Sequence, residues 1–103
     1  MSSGASFSQA ESAEGVTIRP EGRWTLASVA ELNAAIRQLK PRGPKVAVDM
    51  DGLESLDTAG AVVLYHAMRR WRKAGLTCQV VGGRQNHLDL LRLVTENERD
   101  LAP

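Results

Sequence analysis

Val46-Ala47-Val48-Asp49 is a short strand-like run that empties through a polar turn into Asp57-Thr58-Ala59-Gly60, and that tetrapeptide opens a long apolar helix. A strand joined to a helix by so short a loop is the building unit of an α/β sheet. Asp57 and Thr58 can satisfy free amides of the helix start, whereas Ala59 and Gly60 leave its first turn almost bare of side chains. A partner backbone, or a phosphoryl group on Thr58, could then approach the positive end of the helix. The layout suits docking or switching. It is not that of an assembled catalytic centre.

The rest of the chain is punctuated in the same style. Residues 1–14, a mixture of Ser, Ala, Gly, Gln and Glu with Phe7 as the one aromatic, read as a flexible tail before a domain at 15–103. Val16-Thr17-Ile18 and Arg23-Trp24-Thr25-Leu26 read as a hairpin that turns at Pro20-Glu21-Gly22. Ser28 and Glu31 make a capping-box pattern, and Val29, Leu32, Ala35, Ile36 and Leu39 follow at helical spacing until Pro41. Lys45 to Asp49, apolar at three successive positions, reads as a central strand buried on both faces. The spacing predicts a second helix from about Ala59 to Ala74 closed by Gly75, and a further strand from Leu76 to Val81. A third helix is predicted from about Gln85 to Glu96, with Leu88, Leu90, Leu91 and Val94 available to face the sheet. The order ββαβαβα predicts an α/β fold with one mixed sheet of four to five strands, parallel inside, joined by right-handed crossovers.

On the second helix, Gly60, Leu64, Ala67, Met68 and Trp71 share a stripe and are predicted core. Ala61, Val62, Tyr65 and His66 do not all fit that stripe, so an apolar patch is expected to be exposed near the helix start. Asp57, Thr58, Ala59, Gly60, Ala61, Val62 and Tyr65 are therefore the candidate partner-binding residues, with Ala59 and Gly60 allowing close approach. Arg69, Arg70, Arg72 and Lys73 end the helix, where they complement its dipole or weakly attract anionic lipid headgroups or an acidic partner surface.

A strand, an acidic turn and Asp-(Ser/Thr)-x-Gly at the head of a helix resemble the STAS domain of sulfate transporters and anti-sigma-factor antagonists. The resemblance spans roughly Val16 to Thr95 and implies the SpoIIAA-like fold. The Asp57-Thr58-Ala59-Gly60-Ala61 version is most similar to STAS domains fused to, or partnered with, Mla-type ABC permeases for phospholipid or organic-solvent transport. It implies a non-enzymatic regulatory module without cofactor that docks on the permease or ATPase. Such a module is cytoplasmic, held at the inner face of the bacterial inner membrane by its partner. Both a separate subunit and part of a longer permease are compatible with this resemblance. The alternative it implies is an anti-sigma-factor antagonist, in which a partner kinase phosphorylates the Ser or Thr of this turn and the added charge breaks a complex. Here that residue is Thr58. Ala59 replaces a second hydroxyl, which matches the permease-associated versions better.

Other chemistries find little support in the sequence. Thirteen basic residues against twelve acidic ones argue against a dedicated nucleic-acid binder. Cys78 is the only cysteine and falls in a strand pattern, as a buried thiol does. His66 and His87 belong to no metal-ligand or triad spacing. Asp49, Asp51, Glu54 and Asp57 lack the closing glutamate of a calcium loop. Gly82-Gly83-Arg84 could meet an anion but is not a nucleotide-binding loop, so a small-ligand or nucleotide module ranks third.

Overall fold

The computed structural model describes residues 4–101. Its elements are β1 (Ala5–Ser12), β2 (Gly15–Trp24), α1 (Val29–Arg37), β3 (Lys45–Asp49), a 3-10 turn (Met50–Gly52), β4 (Leu53–Leu56), α2 (Thr58–Lys73), β5 (Thr77–Val81) and α3 (Gln85–Leu101). One mixed sheet runs in the order β1-β2-β3-β5, and β4 also pairs with β2. β1 is antiparallel to β2, whereas β3, β4 and β5 are parallel to their neighbours. The fold class expected from the sequence is the one observed.

The strand register explains the core. Val16, Val46 and Cys78 align across three strands, and so do Ile18, Val48 and Val80. These two rows face the helices. Leu32 and Ile36 of α1, Leu64, Ala67, Met68 and Trp71 of α2, and Leu91 and Val94 of α3 close the core over them. The intervening row, Thr17, Ala47 and Gln79, lies on the opposite face, half-buried or exposed. β3 is therefore covered on one face only, contrary to the expectation from its apolar run. Two successive right-handed crossovers in one direction along the sheet set α1 and α2 on the same side, and α3 packs beside α2. Arg19 and Asp49 meet at 3.9 Å on the open face, too exposed to stabilise the fold much.

The N-terminal region departs furthest from expectation. Residues 5–12 are not a tail: β1 pairs with β2 from Ala5↔Gly22 to Ser12↔Gly15. The expected hairpin turn at Pro20 does not form either, because Gly15–Trp24 is one continuous strand. Pro20 is tolerated where β2 changes partner: pairing with β3 ends at Ile18 and pairing with β4 begins at Gly22. A residue with no backbone N–H fits that gap. The Ser28–Glu31 capping box is also absent. Ser28 has nearly helical backbone angles, not the extended ones a cap needs, and its side chain makes no capping bond. Its own N–H donates to the Thr25 carbonyl at 2.8 Å, tightening the approach to α1.

α2 ends as expected, at Gly75, whose φ of +98° suits the left-handed residue after a helix. In α3, His87 is buried and its Nδ1 has no partner. Burial, with help from Arg84, pushes its pKa below the ordinary imidazole value. The unfolded chain therefore binds a proton that the folded chain resists, and stability falls as pH drops through the usual imidazole range, about pH 6.5. The thermal midpoint should fall between about pH 7.5 and about pH 5.5, and His87→Leu should flatten that slope.

Candidate functional site

Asp57 builds the head of α2. Its backbone is extended, as a cap requires, and its Oδ1 accepts the Gly60 N–H at 2.9 Å. Oδ2 accepts the Leu26 N–H at 2.9 Å, and the Asp57 N–H donates to the Trp24 carbonyl at 3.2 Å. One carboxylate thus ties the start of α2 to the connection between β2 and α1. Asp57→Ala should lower stability by about 1–3 kcal/mol, more than a simple cap, because two amides lose their acceptor. Asp57→Asn should recover part of that loss, and equilibrium denaturation measures both.

This tie sets Thr58 in solvent beside an unusual neighbour. Thr58 is exposed, and Leu26, whose amide Asp57 holds, is 73% exposed. From there a shallow groove of about 380 Å³ runs between α1 and α2, with Val29, Ala30, Ala59 and Val62 giving its apolar wall and Asn33 and His66 its far end. Its local origin is simple. α1 and α2 bury Leu32 and Ile36 against the Leu64 stripe, and small residues at positions 30 and 59 leave the helix shoulders low.

Three of the candidate residues lie elsewhere. Ala61 is fully buried and Tyr65 is 6% exposed, so neither belongs to a surface patch. α3 packs along α2 and widens its buried arc beyond one stripe. Gly60 is buried too, and its bare side faces inward: a Cβ there would overlap the Trp24 carbonyl oxygen and lie 2.7 Å from its carbon. The glycine lets α2 approach β2, not a partner approach α2. Asp57, Thr58, Ala59 and Val62 remain at the surface end of the helix, joined by Leu26, Val29 and Ala30, which sequence reasoning did not select. Leu26 looked like the end of a strand and Val29 like a core position, and no local signal distinguishes either from those roles.

The other sequence clusters have structural work. Asp49 accepts the Asp51 N–H at 3.0 Å, and Asp51 accepts the Gly83 N–H at 2.6 Å, which joins the 3-10 turn to the approach of α3. The Gly82-Gly83-Arg84 turn therefore presents one of its amides to a carboxylate already in place. Among the described residues no three His, Cys, Asp or Glu side chains converge as metal ligands. The Cys78 thiol points at the Met68 carbonyl, Sγ to O 3.7 Å, and burial raises its pKa against the pull of Arg72. It remains a thiol at neutral pH and is a poor nucleophile. Among the described residues no helix is long and apolar enough to cross a membrane.

Comparison with known proteins agrees with this fold. Residues 7–98 match the family model described as "Mlab, STAS domain". Three solved structures share the fold. An antisigma-factor antagonist STAS domain from Rhodobacter sphaeroides aligns at TM-score 0.64 and 22% identity, over 77% of this chain and 87% of that one. An anti-sigma factor antagonist from Mycobacterium paratuberculosis aligns at TM-score 0.72 and 15% identity, over 92% and 81%. The anti-sigma factor antagonist SpoIIAA in its unphosphorylated form aligns at TM-score 0.56 and 18% identity, over 90% and 80%. No curated protein matches the chain in sequence.

Proposed function

The chain belongs to the STAS domain family, and from that premise we propose that it is a non-enzymatic docking module that binds a protein partner through Thr58 and the adjoining α1/α2 groove. The observation that carries this reading is the exposed position of Thr58 in the chain between Asp57, which holds the Leu26 and Gly60 amides, and Ala59, which lines the apolar groove. Leu26, Val29, Ala30, Ala59 and Val62 supply apolar contact, and Thr58 supplies the polar group whose state can change. The partner class we favour is an anti-sigma factor, with phosphorylation of Thr58 as the release step. Structural likeness to three anti-sigma-factor antagonists supports it. A phosphate on Thr58 would sit next to the Asp57 carboxylate and would have to enter an apolar interface, so its charge opposes docking.

A second reading is docking on a permease or ATPase of an Mla-type lipid transporter. The family description and the lone hydroxyl of the Asp57–Gly60 turn favour it. Both readings share one surface and differ in who covers it. Affinity purification of the tagged chain from its native host separates them. Recovery of a kinase-type anti-sigma factor, lost on phosphorylation of Thr58, supports the first reading. Recovery of transporter subunits with no anti-sigma factor supports the second.

A further inference from the structure

At the far end of α2 from Thr58, four residues recur on one helical face at i, i+3, i+4 and i+7: His66, Arg69, Arg70 and Lys73. Arg37, in the last turn of α1, completes with them a cleft of about 340 Å³ whose lining contains no carboxylate. Among the described residues no carboxylate forms an ion pair with Arg37, Arg69, Arg70 or Lys73; Arg19–Asp49 lies on the opposite face of the sheet. Arg70 is half-buried, and its Nη2 is buried without a hydrogen-bond partner. A buried guanidinium nitrogen with nothing to donate to is costly and rare in a folded protein.

We propose that the cleft formed by Arg37, Arg69, Arg70 and Lys73 binds a phosphate-type oxyanion. Such an ion carries up to two charges on several acceptor oxygens and can bridge guanidinium forks from both helices at once. A carboxylate offers two oxygens and one charge, which leaves most of this cluster unmatched. Arg37 lies in the last turn of α1, and Arg70 and Lys73 in the last turn of α2, where the negative dipole ends offset part of their mutual repulsion. Burial, and then the Arg37 charge, pull the Arg70 pKa downward, as expected where positive charge has gathered without its counter-ion. The cleft begins at His66, where the Thr58 groove ends, and its four cations lie outside that groove, so the site does not depend on the identity of the protein partner. Its phosphate could be a soluble group or the headgroup of an anionic lipid, and the test has an arm for each.

Inorganic phosphate and pyrophosphate are titrated into the whole chain at low salt while amide and arginine side-chain resonances are followed. In parallel, cosedimentation is measured with phosphatidylcholine vesicles and with vesicles that also contain phosphatidylglycerol. Saturable shifts confined to residues 66–73 and the end of α1, weakened about tenfold or more by Arg70→Gln and by Arg37→Gln, are expected. Arg92→Gln on α3 should change nothing. If only the phosphatidylglycerol vesicles bind, and both variants abolish that binding, the oxyanion is a lipid headgroup; if only the soluble ions bind, it is a free phosphate group. Each result sustains the site. Because Gln at position 70 removes a buried unpaired charge, that variant should melt no lower than wild type without ligand, so a loss of binding cannot be ascribed to unfolding. Absence of saturable binding in every arm, or binding equal in wild type, Arg70→Gln and Arg37→Gln, would overturn the proposal.

Discussion

Removing residues 1–12 should unfold the domain or lower its thermal midpoint by more than about 20 °C. β1 contributes an eight-residue ladder along β2 from Gly15 to Gly22. Its loss turns a central strand into an edge. Trp24, fully buried, donates its indole N–H to the Ser6 carbonyl at 3.0 Å and packs edge-to-face on Phe7 at 6.4 Å between centroids. Leaving that indole donor unpaired costs about 1–3 kcal/mol, and the lost cover of half-buried Phe7 costs about 1 kcal/mol. With the missing strand ladder the sum reaches roughly 4 kcal/mol or more, a large share of the stability of a small domain. In a domain of this size each kcal/mol moves the midpoint by about 4–8 °C. Phe7→Ala should show a fraction of the effect. An unchanged midpoint in the truncated chain would mean that β1 is dispensable, as the composition of the segment alone suggests.

Gly60→Ala should be the most damaging single methyl in α2. In an exposed helix the same change would stabilise by about 1 kcal/mol. Here the added carbon meets the backbone carbonyl of Trp24, which cannot yield as a side-chain tip such as Leu56 Cδ1, 3.1 Å away, could. The helix start must move away from β2, and that strains the bond from the Asp57 N–H to the Trp24 carbonyl. Overpacking of this kind costs about 1–3 kcal/mol and occasionally more, so the net change should be destabilising despite the gain in helix propensity. Gly60→Val should not fold. Ala59→Gly, one residue earlier on the half-exposed shoulder, should cost no more than ordinary propensity, about 1 kcal/mol. Chemical denaturation of the three variants checks the order, and a Gly60→Ala protein as stable as wild type would remove the close-packing account.

The parts of this fold that could be read from the sequence are those whose causes are local. Asp57 caps α2 because a short acceptor before an apolar run has few better uses, and Gly75 ends it because the left-handed position favours glycine. What escaped reading depends on partners distant in the chain. Ser6 and Ser8 look like tail residues until Glu21 and Arg19 are seen opposite and the Trp24 indole is seen bonded to Ser6, and Pro20-Glu21-Gly22 is a turn signal that β3 and β4 override by pairing with β2 before and after Pro20. The candidate site divides in the same way. Thr58, Ala59 and Val62 lie where helix periodicity puts them, whereas Ala61 and Tyr65 are buried, Tyr65 beside Leu88 and Leu91 of α3, a packing that no single-helix pattern encodes. Leu26 reached the surface because Asp57 holds its backbone, a contact between residues 31 positions apart.

The basic cleft shows a further limit of local reading. Arg69, Arg70 and Lys73 are ordinary helix-ending cations in the sequence, and only the arrival of Arg37 from α1 makes them a cluster. Dipole complementarity explains their presence but not the unpartnered Arg70 nitrogen.

The central claim, that the Thr58 end of the α1/α2 groove docks a protein partner, is tested most directly by titrating the purified partner against wild type, Thr58→Glu and Arg92→Ala. Glutamate at the first position of α2 faces the positive helix end and should leave the free domain as stable as wild type. Against an apolar partner surface the same carboxylate loses water without gaining a donor. The account predicts Thr58→Glu binding weakened about tenfold or more, with Arg92→Ala unchanged. Equal affinity for all three proteins would contradict it.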